Sequence, residues 1–382
     1  MTLLVLAAAA WWSIRLARAD AAFRRHSPAD VARAIELASD NGEYLAAVAL
    51  QAEYSGQDPQ PLLEEIAAIN PRRAAPRIQL ALAAELRGDT TGAERWLQEA
   101  FSVDRQFETR WTLANFYFRQ GRPGEFWTWM KSALEMSYGD RAAAFDLCWQ
   151  MTADPQEILN RAIPGNHEVP ENHEVMVSYL AYVLNRHHPE AIAGAANRLA
   201  KLRTPDDLPL LYAATDALLD AGQAGDAADL WQALGNAPPS GITHPNFEPP
   251  GSGHGFDWRI AEPPGVTHLP LDSPPAHRIR FSGQQPESCE LLRQVLGGLR
   301  PGASYTLRWE SRTQGIASPT GIEWSIQGSD GSVAATEDWS KGEMTFRPST
   351  DHATLELVYR RPAGQVRTEG YVELRGVTSS PQ

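Results

Sequence analysis

The chain has 382 residues, with 47 acidic against 34 basic side chains and a net charge of -13. Nucleic-acid binders carry a basic surface, so this balance argues against a nucleic-acid partner. An apolar share of 43% is that of an ordinary soluble globular protein, and the length allows two or three domains. The two cysteines, Cys148 and Cys289, make neither a disulfide framework nor a metal centre.

Leu3 to Ile14 is an apolar run. It is shorter than the ~20 residues that span a bilayer and closer to the core of a signal peptide. Ala17-Arg18-Ala19 supplies a small-x-small cleavage site before Asp20. No Lys or Arg precedes the run, whereas Arg15, Arg18, Arg24 and Arg25 come after it. The positive-inside bias would hold that flank in the cytoplasm, and a basic lead upstream of Met1 would reconcile the two signals. Residues 1–19 are therefore read as a signal peptide or N-terminal membrane anchor. The alternative is a first amphipathic helix that caps a helical array.

Ser27-Pro28-Ala-Asp30 is a helix start, with Ser as N-cap and Pro in the first turn. Helical runs then alternate with Gly breaks. Leu80 to Gly88 is followed by Gly92 to Ala100, and Trp111 to Gly121 by Phe126 to Ala133. Gly56, Gly88 and Gly121 recur at about 33 residues, as do Trp96 and Trp129, which is the period of a helical-pair repeat. With the small positions Ala83, Ala93, Ala100 and Ala133, this pattern resembles tetratricopeptide repeats. The likeness is good over 28–140, looser through Val175 to Leu202, and good again from Leu218 to Trp231. It implies a curved stack of antiparallel helices holding a protein partner on its concave face. A spacer without a ligand is the alternative.

Ala237-Pro-Pro-Ser-Gly241 closes the helical part. Beyond it, Ser304 to Arg312, Gly321 to Ile326, Glu343 to Phe346, Ala353 to Tyr359 and Glu369 to Leu374 alternate apolar with polar. Strands so spaced, with Gly and Pro turns, predict an antiparallel sandwich. Asn246-Phe-Glu248 with Phe256-Asp257-Trp258, the turn and strand Leu299 to Trp309, and the close Tyr371 to Val377 resemble jelly-roll carbohydrate-binding modules of galactose-binding-like fold. The resemblance covers 242–378, and the last strand ends close enough to Gln382 that no further domain is expected. Many such modules hold a structural calcium through acidic groups on the first and last strands. Glu248 suits the first position, but Leu374 and Arg375 stand where an Asp is common, so neither a metal nor any cofactor is expected.

Sugar recognition needs an aromatic face and polar groups that reach hydroxyls. Trp339, in the polar loop Thr336 to Gly342, is the first candidate, and Trp324, Arg360 and Arg361 complete the set. Trp324 shares its strand face with Ile322 and Ile326, which also fits a core residue, and Arg360-Arg361 before Pro362 also fits a solvated strand end.

The pairs in Asn166-His-Glu-Val169 and Asn172-His-Glu-Val175 lack the spacing of a helical zinc motif. Gly251-Ser-Gly-His-Gly255 is no phosphate loop, and there is no Gly-x-Ser-x-Gly elbow. The expected fold is a TPR-like α-solenoid (27–236) followed by an antiparallel β-sandwich of jelly-roll type (242–378). The expected role is a non-enzymatic, extracytoplasmic (periplasmic) adaptor, held at the inner membrane where its N-terminal segment is retained. The array would bind a protein and the sandwich a glycan. A purely structural scaffold and an enzyme of unknown type are the rivals.

Overall fold

The computed structural model describes residues 2–163, 172–248 and 251–382. Among them, fourteen α-helices precede ten strands in two antiparallel sheets. The chain divides into two compact units, Met1–Val175 and Met176–Gln382. The first His-Glu pair, His167-Glu168, lies outside the described residues.

The first unit opens with α1 (Thr2–Phe23) and α2 (Pro28–Leu37), which Ser27 caps by accepting from the Asp30 N–H at 3.1 Å. It continues through α3 (Gly42–Tyr54), α4 (Gln60–Ile69), α5 (Ala75–Leu86) and α6 (Thr90–Val103). α7 (Phe107–Arg119), α8 (Pro123–Met136), α9 (Ala142–Met151) and α10 (Pro155–Arg161) complete it. The repeating glycines explain the hairpins. Gly56, Gly88 and Gly121 have φ of +73°, +80° and +63°, a left-handed turn that costs glycine little. In each turn the next N–H closes back on the helix: Gln57 on Ala52, Asp89 on Ala84 and Arg122 on Tyr117, at 2.8–3.0 Å. Ala93, Ala100 and Ala133 are fully buried where neighbouring helices approach, as expected for small positions in a stack.

α1 is one unbroken helix with two environments. Ala19 and Ala22 are buried against α2 and α3, and the Phe23 ring lies 4.6 Å from Tyr44. Residues 3–14 stay exposed: Leu3, Val5, Leu6 and Ile14 are all above 60% accessible. No described helix is long and apolar enough to cross a membrane.

The second unit begins within α11 (His173–Asn185) and continues with α12 (Pro189–Ala200), α13 (Leu208–Asp220) and α14 (Ala224–Ala233). Gly222 repeats the left-handed turn at φ +74°, with Gln223 N–H closing on Leu218. Gly251-Ser-Gly-His-Gly255, no phosphate loop by sequence, is a strap that joins this last helical pair to the sheets. Asp216 of α13 accepts from the Gly255 N–H at 2.7 Å and meets His254 Nδ1 at 2.6 Å. Arg259 stands 2.8 Å from the same carboxylate, out of hydrogen-bonding line. A Cβ on Gly255 would meet the Trp231 ring at 2.5 Å, so the close approach requires glycine.

The strands are β1 (Arg259–Ile260), β2 (Val266–Asp272), β3 (Pro275–Ser282), β4 (Ser288–Leu296) and β5 (Tyr305–Gln314). Next come β6 (Ile322–Ile326), β7 (Ser329–Ser332), β8 (Ser340–Phe346), β9 (Ala353–Arg360) and β10 (Glu369–Pro381). One sheet runs β1-β4-β9-β6-β7 and the other β2-β3-β10-β5-β8. The chain crosses between them at every connection except β2–β3 and β6–β7, a jelly-roll-like winding. Alternation sends Ile279, Phe281, Leu307, Trp309, Leu355 and Leu357 into one shared core. Asn246-Phe-Glu248, expected in the first strand, is a turn instead. Phe247 has φ +63°, although Asn246 Oδ1 and Pro245 O still receive the Gly376 and Val377 N–H groups of β10.

Candidate functional site

The four residues picked from the sequence fall in separate places. Trp324 is corrected outright: it is fully buried, with Trp258 at 5.9 Å and Trp309 at 6.3 Å. Its strand alternates Ile322, Trp324, Ile326 into the core, so no ring face is left for a sugar. Arg360, at the end of β9, pairs with Glu323 at 3.2 Å. Arg361 pairs with Glu287 at 3.0 Å and lines a loop cleft of about 1010 Å³, together with Gln365, Arg367 and Glu369. That cleft has no aromatic side chain among its described lining residues.

Trp339 stands just before β8, half-buried, with its ring beside Arg312 and Arg375 on the outer face of the β2-β3-β10-β5-β8 sheet. Register builds its surroundings. Leu269 pairs with Arg278, Arg278 with Glu373, and Glu373 with Arg312, so one row crosses β2, β3, β10 and β5 and ends beside Trp339. Arg312 lies 5.1 Å and Arg375 4.0 Å from the Trp339 ring centroid, and Arg278 lies 4.3 Å from that of Tyr371. Such guanidinium–ring contacts help to hold the cations in place.

Glu373 is the centre of this row. It faces outward from β10 yet is fully buried, because Arg278 and Arg312 close over it. Arg278 donates through Nε at 2.9 Å and Nη2 at 2.5 Å, and Arg312 through Nε at 2.6 Å. Burial pushes the Glu373 carboxyl up, but the hydrogen bonds and charges of Arg312 and Arg278 outweigh it and hold it below the usual carboxylate range. One step along the strands, Arg375 donates through Nε to Glu310 at 2.7 Å. Beside that pair a groove of about 580 Å³ opens between Arg308, Glu310, Lys341, Glu343 and Thr378. It is deepened by the bulge of β10 at Gly376, where a Cβ would meet nothing within 4 Å.

Tyr371, Glu373 and Arg375 were visible only as the polar half of an alternating strand. Their hydrogen-bond partners lie 57 to 95 residues away, and no local signal announces them.

The first helical unit holds a second feature. Leu50, Leu82 and Leu86 are exposed along α3 and α5, around a groove of about 420 Å³ lined also by Ala83, Leu63 and Pro59. Tyr54, 85% exposed, ends α3. Among the described residues no cluster of three or more metal-ligating side chains occurs.

No family profile matches the chain, and no curated protein matches it. Among solved structures, the enzymatically active domain of tailspike protein 4 from bacteriophage CBA120 aligns at 11% identity and a TM-score of 0.25, over 33% of this chain and 19% of that one. The chain thus spans only about a fifth of that tailspike domain. PilF of Pseudomonas aeruginosa aligns at 14% identity and 0.24, over 51% and 75%. TmCBM61, solved in complex with β-1,4-galactotriose, aligns at 14% and 0.25, over 37% and 99%. Overlays this loose fix neither ligand nor partner.

Proposed function

We propose that this protein is a non-catalytic adaptor of the bacterial cell envelope, extracytoplasmic and attached to the membrane through α1. Its helical repeats hold a protein partner, and its sandwich contacts a glycan, in the assembly or export of a polysaccharide. The observation that carries the glycan reading is the outer sheet face, where Trp339 and Tyr371 flank a fixed row of guanidinium donors. Aromatic bodies with aimed polar groups are what a sugar ring requires of its site.

The helical groove of Leu50, Leu82 and Leu86 supports a partner that inserts an apolar segment. The environment of α1 supports a retained anchor over a cleaved leader. Cleavage after Ala19 would cut a continuous helix at a residue buried against its neighbours. The adjacent residues Leu3, Leu4, Val5 and Leu6 are exposed together, on every side of the helix, which suits lipid better than one docking groove.

One observation favours a second reading, a scaffold with no glycan ligand: Arg375, 4.0 Å from the ring centroid, already gives Trp339 a partner within its own sheet. A glycan-array screen of the full chain beside Trp339→Ala separates the two. Binding that the substitution abolishes supports the adaptor, and an array with no bound glycan leaves the scaffold.

A further inference from the structure

We propose that the outer face of the β2-β3-β10-β5-β8 sheet reads an anionic polysaccharide, a chain of sugars bearing carboxylates. This deepens the glycan reading of the same face and rests on it.

Charge is the first argument. Six cations point outward from this face: Arg278, Arg280, Arg308, Arg312, Lys341 and Arg375. Four carboxylates share it, Glu310, Glu343, Glu369 and Glu373. The face is therefore net positive in a chain whose total is -13. Moreover, Glu373 is buried, so a ligand meets the guanidiniums above it and not the carboxylate.

Donor geometry is the second argument. A guanidinium has five N–H donors in a fixed fork. Arg312 reaches Glu373 through Nε, and Arg375 reaches Glu310 through Nε. Their Nη groups make no further hydrogen bond among the described residues. Arg278 likewise keeps Nη1 after its two bonds to Glu373. Three guanidiniums are thus pinned from behind, held by Trp339 and Tyr371, and left with open N–H pairs. Such forks match carboxylates, and their rotamer entropy is already lost.

Spacing is the third. Neighbouring strands lie about 4.8 Å apart, so the backbones at Arg278 and Arg312, with β10 between them, stand about 10 Å apart while their guanidiniums converge over Glu373. Arg280 on β3 and Lys341 on β8 bracket the row from opposite sides. Both are exposed and, among the described residues, have no carboxylate within ion-pair distance. The face therefore offers charges in an extended array rather than one pocket, as a polymer needs.

The test is affinity electrophoresis of the full chain through gels holding polygalacturonate, its methyl-esterified form, neutral β-1,4-galactan or polyglutamate. The expected result is retardation by polygalacturonate alone, relieved by salt. Arg280→Gln with Lys341→Gln, both exposed, should weaken it on the order of tenfold, the loss of charge-assisted hydrogen bonds. Equal retardation by the esterified polymer or galactan would overturn the acidic specificity and leave the glycan reading standing. Equal retardation by polyglutamate would reduce the face to a generic anion binder and overturn the proposal. Migration unaffected by any of the four overturns both.

Discussion

In the helical units the bond that closes a turn joins neighbours: the Asp89 N–H reaches Ala84 O, and the same geometry returns at Gln57, Arg122 and Gln223. On the outer sheet, Glu373 is held by Arg278 and Arg312, 95 and 61 residues away. The first kind of contact repeats in sequence and can be read from a period. The second exists only once strands have found their register. The helical part therefore announces its architecture, whereas the sandwich conceals its candidate site inside an ordinary alternating pattern.

Two tryptophans in the sandwich sharpen the contrast most. Trp324→Ala should destabilise the sheets by about 3–5 kcal/mol, the usual cost of truncating a buried aromatic. Trp339→Ala should cost less than about 1 kcal/mol, because its ring is half-buried on the surface. Urea unfolding followed by near-UV circular dichroism reads both, and equal losses would contradict the placement of Trp324 inside and Trp339 outside.

Acid should act on the sheets before it acts on the helical turns. His277 is buried with His268 Nδ1 at 2.9 Å from its Nε2. Burial, then the neighbouring His268, pushes its imidazole from 6.5 down to about 4, and burial lowers His268 as well. The unfolded chain takes up the proton near 6.5 and the folded chain only near 4. Stability is thus full above 6.5 and falls as pH drops through 6.5 toward 4, by at most about 3 kcal/mol for His277. Urea midpoints measured across that window should decline for the sheet signal; a flat profile would place His277 in water.

Removing the long-range centre comes next. Glu373→Gln should cost about 2 kcal/mol, less than a fully buried pair would, since Arg278 and Arg312 are 33% and 36% exposed and can be rehydrated. Thermal denaturation of the variant checks it, and an unchanged midpoint would mean the row adds nothing to the fold. A smaller effect than that of Glu373 belongs to the local contact. Gly88→Ala meets no atom within 4 Å, so only the left-handed backbone at φ +80° opposes it, at about 1 kcal/mol. Far-UV circular dichroism on heating should register that loss in the helices and leave the sheet signal in place.

The 33-residue period, the turn glycines and the alternating segments from Tyr305 onward were legible, because helix hairpins and strands are set by contacts within a few residues and by side-chain periodicity. Net charge, and the apolar character of Leu3 to Ile14, were equally a matter of sequence. Other features were decided only by tertiary structure. Phe247 turned where a strand was expected, and Gly251 to Gly255 became a strap under Trp231 and Asp216. The two tryptophans with similar local claims separated into core and surface, and Tyr371, Glu373, Arg312 and Arg278 met across three strands. The physical reason is register. Alternation says which residues of a strand share a face, but only pairing between distant strands says which faces are covered and which charges meet.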